Sequence, residues 1–96
     1  MQSLPSLEGV TKAEKRLKGL IRVTPLEFSK RLSNITNSSI LLKREDVQQI
    51  RSFKIRGAYN KISSLDENDF KNGIVCASAG NHAQGFAFSC KKLKIN

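Results

Sequence analysis

The sequence predicts an α/β fold built on parallel strands, and three observations carry that expectation. Apolar residues recur at helical spacing in four stretches: Val10, Ala13, Leu17 and Leu20; Leu26, Phe28 and Leu32; Ile55, Ala58, Tyr59, Ile62 and Leu65; and Ala83, Phe86, Ala87, Cys90 and Leu93. Two short apolar runs, Ile40-Leu41-Leu42 and Ile74-Val75-Cys76-Ala77, have the length and polar borders of buried strands. The resulting order is helix, helix, strand, loop, helix, strand, loop, helix, the alternation that builds parallel sheets with helical crossovers.

Each element has a local reason. Ser6 or Thr11 can cap the first helix, and Gly19 weakens its end. Thr24-Pro25 breaks that pattern, because the residue before proline is pushed out of the helical region. A short second helix is expected from Leu26 through Ser33, followed by a polar loop, Asn34-Ile35-Thr36-Asn37-Ser38-Ser39. The strand at residues 40–42 leads into an irregular polar stretch over residues 43–52. A third helix is expected from Ile55, with Asn72-Gly73 stopping the polar segment behind it. The strand at residues 74–77 runs into a tight turn at Ser78-Ala79-Gly80. The last helix ends in Lys91, Lys92 and Lys94, where its dipole favours cations. Two strands are few, since sheets commonly have about four to six. A third would begin at Lys94-Ile95-Asn96, so the chain reads as the N-terminal part of a larger protein.

Composition removes several classes. The 96 residues are 39% hydrophobic and 26% charged, which excludes collagen-like and low-complexity chains. A free-standing domain of this size buries only about 60–65% of its unfolded surface, so a core confined to it is marginal. No apolar run approaches the roughly 18 residues of a membrane span, and the start lacks the order of a signal peptide. The expected location is the cytoplasm, without a membrane partner. Cys76 and Cys90 read as reduced core thiols rather than a disulfide framework. With a single His, no metal site is expected. The net charge of +9 invites a nucleic-acid reading. The basic residues are, however, spread along the chain, and the six aromatics do not interleave with them as a stacking surface requires. A small basic nucleic-acid module therefore stays the lesser alternative, and no nucleic acid is the expected partner.

Two stretches carry chemistry. Ser52-Phe53-Lys54-Ile55-Arg56-Gly57-Ala58 opens the third helix and puts two cations at its partially positive end. Either both side chains are simply solvated, or the positive field and burial lower a lysine pKa, as a Schiff-base lysine requires. Ser78-Ala79-Gly80-Asn81-His82-Ala83-Gln84-Gly85 is a strand-to-helix junction. Backbone N–H groups at such a junction bind a phosphate or carboxylate. The plainer alternative is that Ser78 or Asn81 caps the helix.

Together these stretches resemble the pyridoxal-phosphate enzymes of the tryptophan-synthase-β type (fold type II), specifically the threonine and serine dehydratases. Arg22-Val23-Thr24-Pro25-Leu26 and Leu42-Lys43-Arg44-Glu45-Asp46 are further matches, so the resemblance spans residues 8–96. It implies a three-layer α/β/α catalytic domain with parallel strands, of which residues 1–96 are the N-terminal portion, and pyridoxal 5′-phosphate as cofactor. Lys54 would be the catalytic lysine that bears the cofactor. Phe53 would pack on the cofactor ring, and Asn81, 27 residues beyond Lys54, would bond its 3′-oxygen. Ser78, Ala79, Gly80, Asn81 and His82 would hold the substrate carboxylate, largely through backbone N–H groups.

Within the family, Ile55-Arg56 and Gly80-Asn81-His82 depart from cysteine synthases. Ala79 stands where similar racemases tend to carry a proton-donating serine, which favours elimination over racemisation. Catabolic dehydratases often read Thr-Gly-Ser-Phe-Lys; Ile50-Arg51-Ser52-Phe53-Lys54 is more similar to the biosynthetic enzymes that begin isoleucine synthesis. The implied reaction is dehydration and deamination of L-threonine, with L-serine as a second substrate, to 2-oxobutanoate and ammonia in the case of threonine. The implied assembly is a homo-oligomer. A catabolic dehydratase of the same family is the alternative. No tetraglycine-like phosphate loop, pyridine-nitrogen partner or regulatory domain occurs in these residues. The 96 residues alone are accordingly expected to bind the cofactor poorly and not to turn over threonine.

Overall fold

The fold is taken from a computed structural model that describes residues 4–96. Ser6 starts α1 (Leu7–Leu17) by accepting a hydrogen bond from the Gly9 N–H at 3.1 Å. Glu8 in the first turn and Lys15 and Arg16 in the last complement the helix dipole. Of the predicted apolar stripe only Leu17 is buried, and Val10 faces outward. Gly19 then turns the chain with φ +78°, a left-handed conformation that glycine adopts without steric cost.

The expected helix over residues 26–33 is corrected. Leu26–Phe28 form strand β1, and the helix α2 spans Lys30–Thr36 behind a Ser29 cap. Leu-Glu-Phe alternates, and pairing with a second strand settles it as β. That partner is β2 (Leu41–Lys43), antiparallel to β1, with Leu26 opposite Lys43 and Phe28 opposite Leu41. The Ser29 N–H to Ile40 carbonyl bond at 2.9 Å and the Arg44 N–H to Pro25 carbonyl bond at 2.9 Å extend the pairing at both ends. The expected buried strand at residues 40–42 is thus an exposed strand one residue further on. This two-stranded sheet is antiparallel, because the short α2 turn brings the chain straight back.

The helix α3 (Lys54–Ser63) buries Ile55, Ala58 and Ile62. With Leu17 and Ile50 these are the buried apolar residues among those described. A short helix α4 (Glu67–Phe70) lies in the stretch expected to be polar loop, held by a capping box between Asp66 and Asp69. Gly73 ends it with φ +86°. Residues 74–77, expected to be a strand, form no ladder, and Val75 is 94% exposed. The Ile74 N–H nevertheless donates to the Asn96 carbonyl at 3.1 Å, so the chain leaving α5 (Asn81–Leu93) returns to the start of that segment. Both cysteines are free; Cys76 is exposed, so it is not a core thiol here, and burial pushes the Cys90 thiol upward.

The face that α5 buries is not the predicted apolar stripe. Ala87 is exposed, while Gly85 and Ser89 are buried against α3. A compact chain of this length has a radius of gyration of about 12.5 Å. This one measures 16.3 Å, with extents of 52 × 28 × 28 Å. Val23, Phe28, Phe53 and Val75 all face outward, so these residues do not close a core of their own. No helix among the described residues is long and apolar enough to cross a membrane.

Candidate functional site

The site is built on the first turns of α3 and α5. A polar lattice anchors the first. Glu45, in the short 3-10 turn Glu45–Val47, receives Arg56 Nη2 at 2.6 Å and Nε at 3.0 Å, Thr24 Oγ1 at 2.7 Å and Gln48 Nε2 at 3.2 Å. The Arg56 guanidinium, first of all, holds the Glu45 carboxyl down at about 2 against an ordinary 4.5. Gln48, almost fully buried, also bonds both backbone groups of Arg22, accepting from its N–H at 3.0 Å and donating to its carbonyl at 2.9 Å. Lys43 Nζ reaches the Thr24 carbonyl at 2.6 Å. The stretches 22–26 and 42–46 are therefore stitched together and tied to α3 through Arg56. That leaves one of the two cations in its first turn neutralised and the other, Lys54, free.

Lys54 is the first residue of α3, and Phe53 before it supplies no side-chain cap. Lys54 makes no ion pair among the described residues, and its Nζ lies 5.4 Å from the Phe53 ring centroid. Both side chains are exposed, in line with the solvated alternative. The loop ahead of it carries two irregularities. Ser52 is buried, yet its hydroxyl has no hydrogen-bond partner. Arg51 adopts φ +63°, a left-handed conformation that strains any residue with a Cβ. Replacing Arg51 with glycine is expected to relieve that strain and stabilise the fold by up to about 1 kcal/mol, net of glycine's greater chain entropy. A raised denaturation midpoint with an unchanged slope is the measurement that shows it.

The second first turn follows residues 74–79. Ser78 Oγ accepts from the Gly80 N–H at 3.2 Å and the Ala83 N–H at 3.1 Å, so its hydroxyl caps α5, as the plainer alternative held. Ala79 and Gly80 are exposed and lead into Asn81, the first residue of the helix. The Asn81 and His82 N–H groups have no intrahelical acceptor and stand at the positive end of a 13-residue helix. The Asn81 side chain is exposed and makes no hydrogen bond within the described residues. The junction thus offers two backbone donors and one carboxamide outward.

Gly85 brings the two turns together. A Cβ placed on it would stand 3.1 Å from the Lys54 carbonyl oxygen and 3.2 Å from the Lys54 carbonyl carbon. The backbone of α5 therefore lies against the backbone that carries Lys54, one helical turn past Asn81. Sequence reasoning placed Lys54 and Asn81 at helix starts, and the structure has them there. It missed the hydrogen-bonded cluster of Glu45, Thr24 and Gln48, because residues 43–52 read as irregular and Thr24 read only as a helix break. It also missed the part played by Gly85, although a glycine inside a helix costs about 1 kcal/mol against alanine and so signals a packing demand.

Comparison with known proteins gives a consistent answer. Over 94 residues the chain is 51% identical to the biosynthetic L-threonine dehydratase of Bacillus subtilis, covering 98% of this chain and 22% of that protein. The processed form of threonine deaminase isoform 2 from Solanum lycopersicum superposes with a TM-score of 0.78 at 36% identity, covering 92% of this chain and 26% of that one. Maize serine racemase superposes with a TM-score of 0.87 at 30% identity, covering 97% and 29%. The chain spans about a fifth of the length of the curated relatives it matches. The profile of the family described as "Pyridoxal-phosphate dependent enzyme" matches residues 17–96. That match covers most of the chain, so this chain belongs to the pyridoxal-phosphate dependent enzymes.

Proposed function

We propose that residues 1–96 supply the lysine-bearing portion of the catalytic domain of a biosynthetic threonine dehydratase, which converts L-threonine to 2-oxobutanoate and ammonia as the first step of isoleucine formation. L-Serine is proposed as a second substrate, a homo-oligomer as the assembly and the cytoplasm as its place. The observation that carries the proposal is the juxtaposition of an exposed, unpaired Lys54 with the donor-rich first turn of α5.

The residues present fit pyridoxal 5′-phosphate. Lys54 Nζ is free to bond its aldehyde carbon, the Asn81 carboxamide is free to donate to its ring oxygen, and Phe53 offers an exposed ring. The unpartnered Ser52 hydroxyl marks a place beside Lys54 where one more polar group belongs. When bound, the cofactor supplies an electron sink for charge developing at the substrate α-carbon.

The chain's own residues then have separable roles. Lys54 would hold the cofactor through Nζ, and its amine, when free, would take the substrate α-proton onto Nζ. The Asn81 and His82 N–H groups and the dipole of α5 hold the substrate carboxylate. Ser78 acts by holding that turn in shape rather than by its own contact. Ala79 has no proton to give, so the opposite face of the α-carbon receives none from it. The lattice around Glu45 fixes the turn from which Lys54 projects.

The test is a fusion in which these 96 residues replace the matching fifth of the Bacillus subtilis relative. The expected result is threonine turnover with a visible cofactor absorption band. A folded fusion with the band but no turnover of threonine or serine would overturn the substrate assignment. A folded fusion without the band would overturn the cofactor assignment.

A further inference from the structure

We infer that Gly85 is a positioning residue: it sets the gap between Lys54 and the first turn of α5. The inference rests on the cofactor assignment to Lys54.

Gly85 is buried, and its contacts are with backbone as well as side chain. An added Cβ would meet the Lys54 carbonyl oxygen at 3.1 Å, the Lys54 carbonyl carbon at 3.2 Å and Ile50 Cδ1 at 3.2 Å. Distances this short demand that something move by a few tenths of an ångström. Ile50 can yield, because its Cδ1 ends a flexible side chain. The Lys54 carbonyl cannot yield alone, because it belongs to the first turn of α3 and moves with it. Ser89, one turn further on and fully buried, donates its hydroxyl to the Gly85 carbonyl at 2.7 Å and ties this face of α5 together.

Asn81 and Gly85 are four residues apart, hence on one face and about 6 Å apart along the axis. A shift at Gly85 is therefore transmitted to Asn81 on the same rigid helix. Lys54 would reach the cofactor from one helix, while Asn81 and the N–H groups of α5 would hold its ring and the substrate from the other. The separation of the two helices at Gly85 is thus the separation of the two halves of the site. Catalytic geometry tolerates little: a misplacement of about 1 Å costs on the order of a hundredfold, and a few tenths should cost about tenfold.

The experiment separates positioning from packing. In the fusion with the Bacillus subtilis relative, pyridoxal phosphate is added and borohydride traps whatever bonds to Lys54. The rate of trapping, the position of the absorption band and the melting temperature are read for the unmodified fusion, Gly85→Ala, and Gly85→Ala with Ile50→Val. The second change deletes Cδ1 and so relieves the side-chain clash, keeping the protein folded, while the Lys54 carbonyl clash stays. Expected are trapping about tenfold slower and a shifted band in both variants, with the melting temperature recovered only in the double variant. Trapping at the unmodified rate in Gly85→Ala would overturn the inference, as would recovery of rate together with melting temperature in the double variant. If the unmodified fusion traps nothing at Lys54, the cofactor assignment fails and takes this inference with it.

Discussion

Replacing Lys54 with alanine is expected to abolish the adduct with pyridoxal phosphate and to lower threonine turnover in the fusion by at least about a thousandfold. The size follows from two lost roles, since one amine both anchors the cofactor and moves the α-proton. Stability should hardly change. Lys54 is exposed and has no ion-pair partner among the described residues, and its Nζ lies 5.4 Å from the neighbouring Phe53 ring centroid. Its removal even relieves a cation at the positive end of α3. Lys54→Arg keeps the charge but cannot release a proton near neutral pH, so it should be as inactive as alanine. Turnover and a thermal melt, measured on the same preparations, check both halves. A large fall in melting temperature would show that Lys54 is structural, contrary to its exposed position.

Replacing Glu45 with alanine should have the second largest effect. It leaves Arg56, Thr24 and Gln48 without their shared acceptor, two of them buried. A fully buried pair broken in this way costs roughly 3–5 kcal/mol; Arg56 keeps about a third of its side chain in water, which lowers the expectation to about 2 kcal/mol. The sign of the pH dependence follows from the depressed carboxyl. Its folded value lies at about 2 against an ordinary 4.5, so its stabilisation is complete above the ordinary value and lost as pH falls toward the folded one. Comparison with Glu45→Gln isolates that contribution. The difference in melting temperature should be largest near neutral pH and shrink steadily between those two values. A difference that grows on acidification would contradict the ion pair.

The positions of the helices were more legible than the strand pairing, for a physical reason. Lys54 and Asn81 sit at helix starts, and helix starts are written locally, by a change of periodicity and a few turn residues. The regular stripe Ile55, Ala58 and Ile62 placed α3 correctly, and all three are buried. Strand pairing is written nonlocally. Leu26, Glu27 and Phe28 suit a strand only once Leu41, Leu42 and Lys43 lie beside them. Residues 74–77 have the apolar character of a buried strand, but no neighbouring strand among the described residues pairs along them, so they form no ladder and Val75, Cys76 and Ala77 are exposed. In α5 the large apolar residues drew attention, whereas the small face of Gly85 and Ser89 makes the close approach to α3. The left-handed φ of Arg51 had no sequence signal, because arginine seldom marks such a position.

Lys54 as the point of cofactor attachment is the centre of this account, and peptide mapping of the borohydride-reduced fusion by mass spectrometry tests it most directly. Joining the lysine amine to the cofactor aldehyde releases one water, and borohydride hydride plus a solvent proton then reduce the bond to a stable secondary amine. The mass increment should fall on the peptide that contains Lys54 and vanish in Lys54→Ala. An increment on another lysine, with Lys54 unmodified in a fusion that turns over threonine, would contradict the assignment.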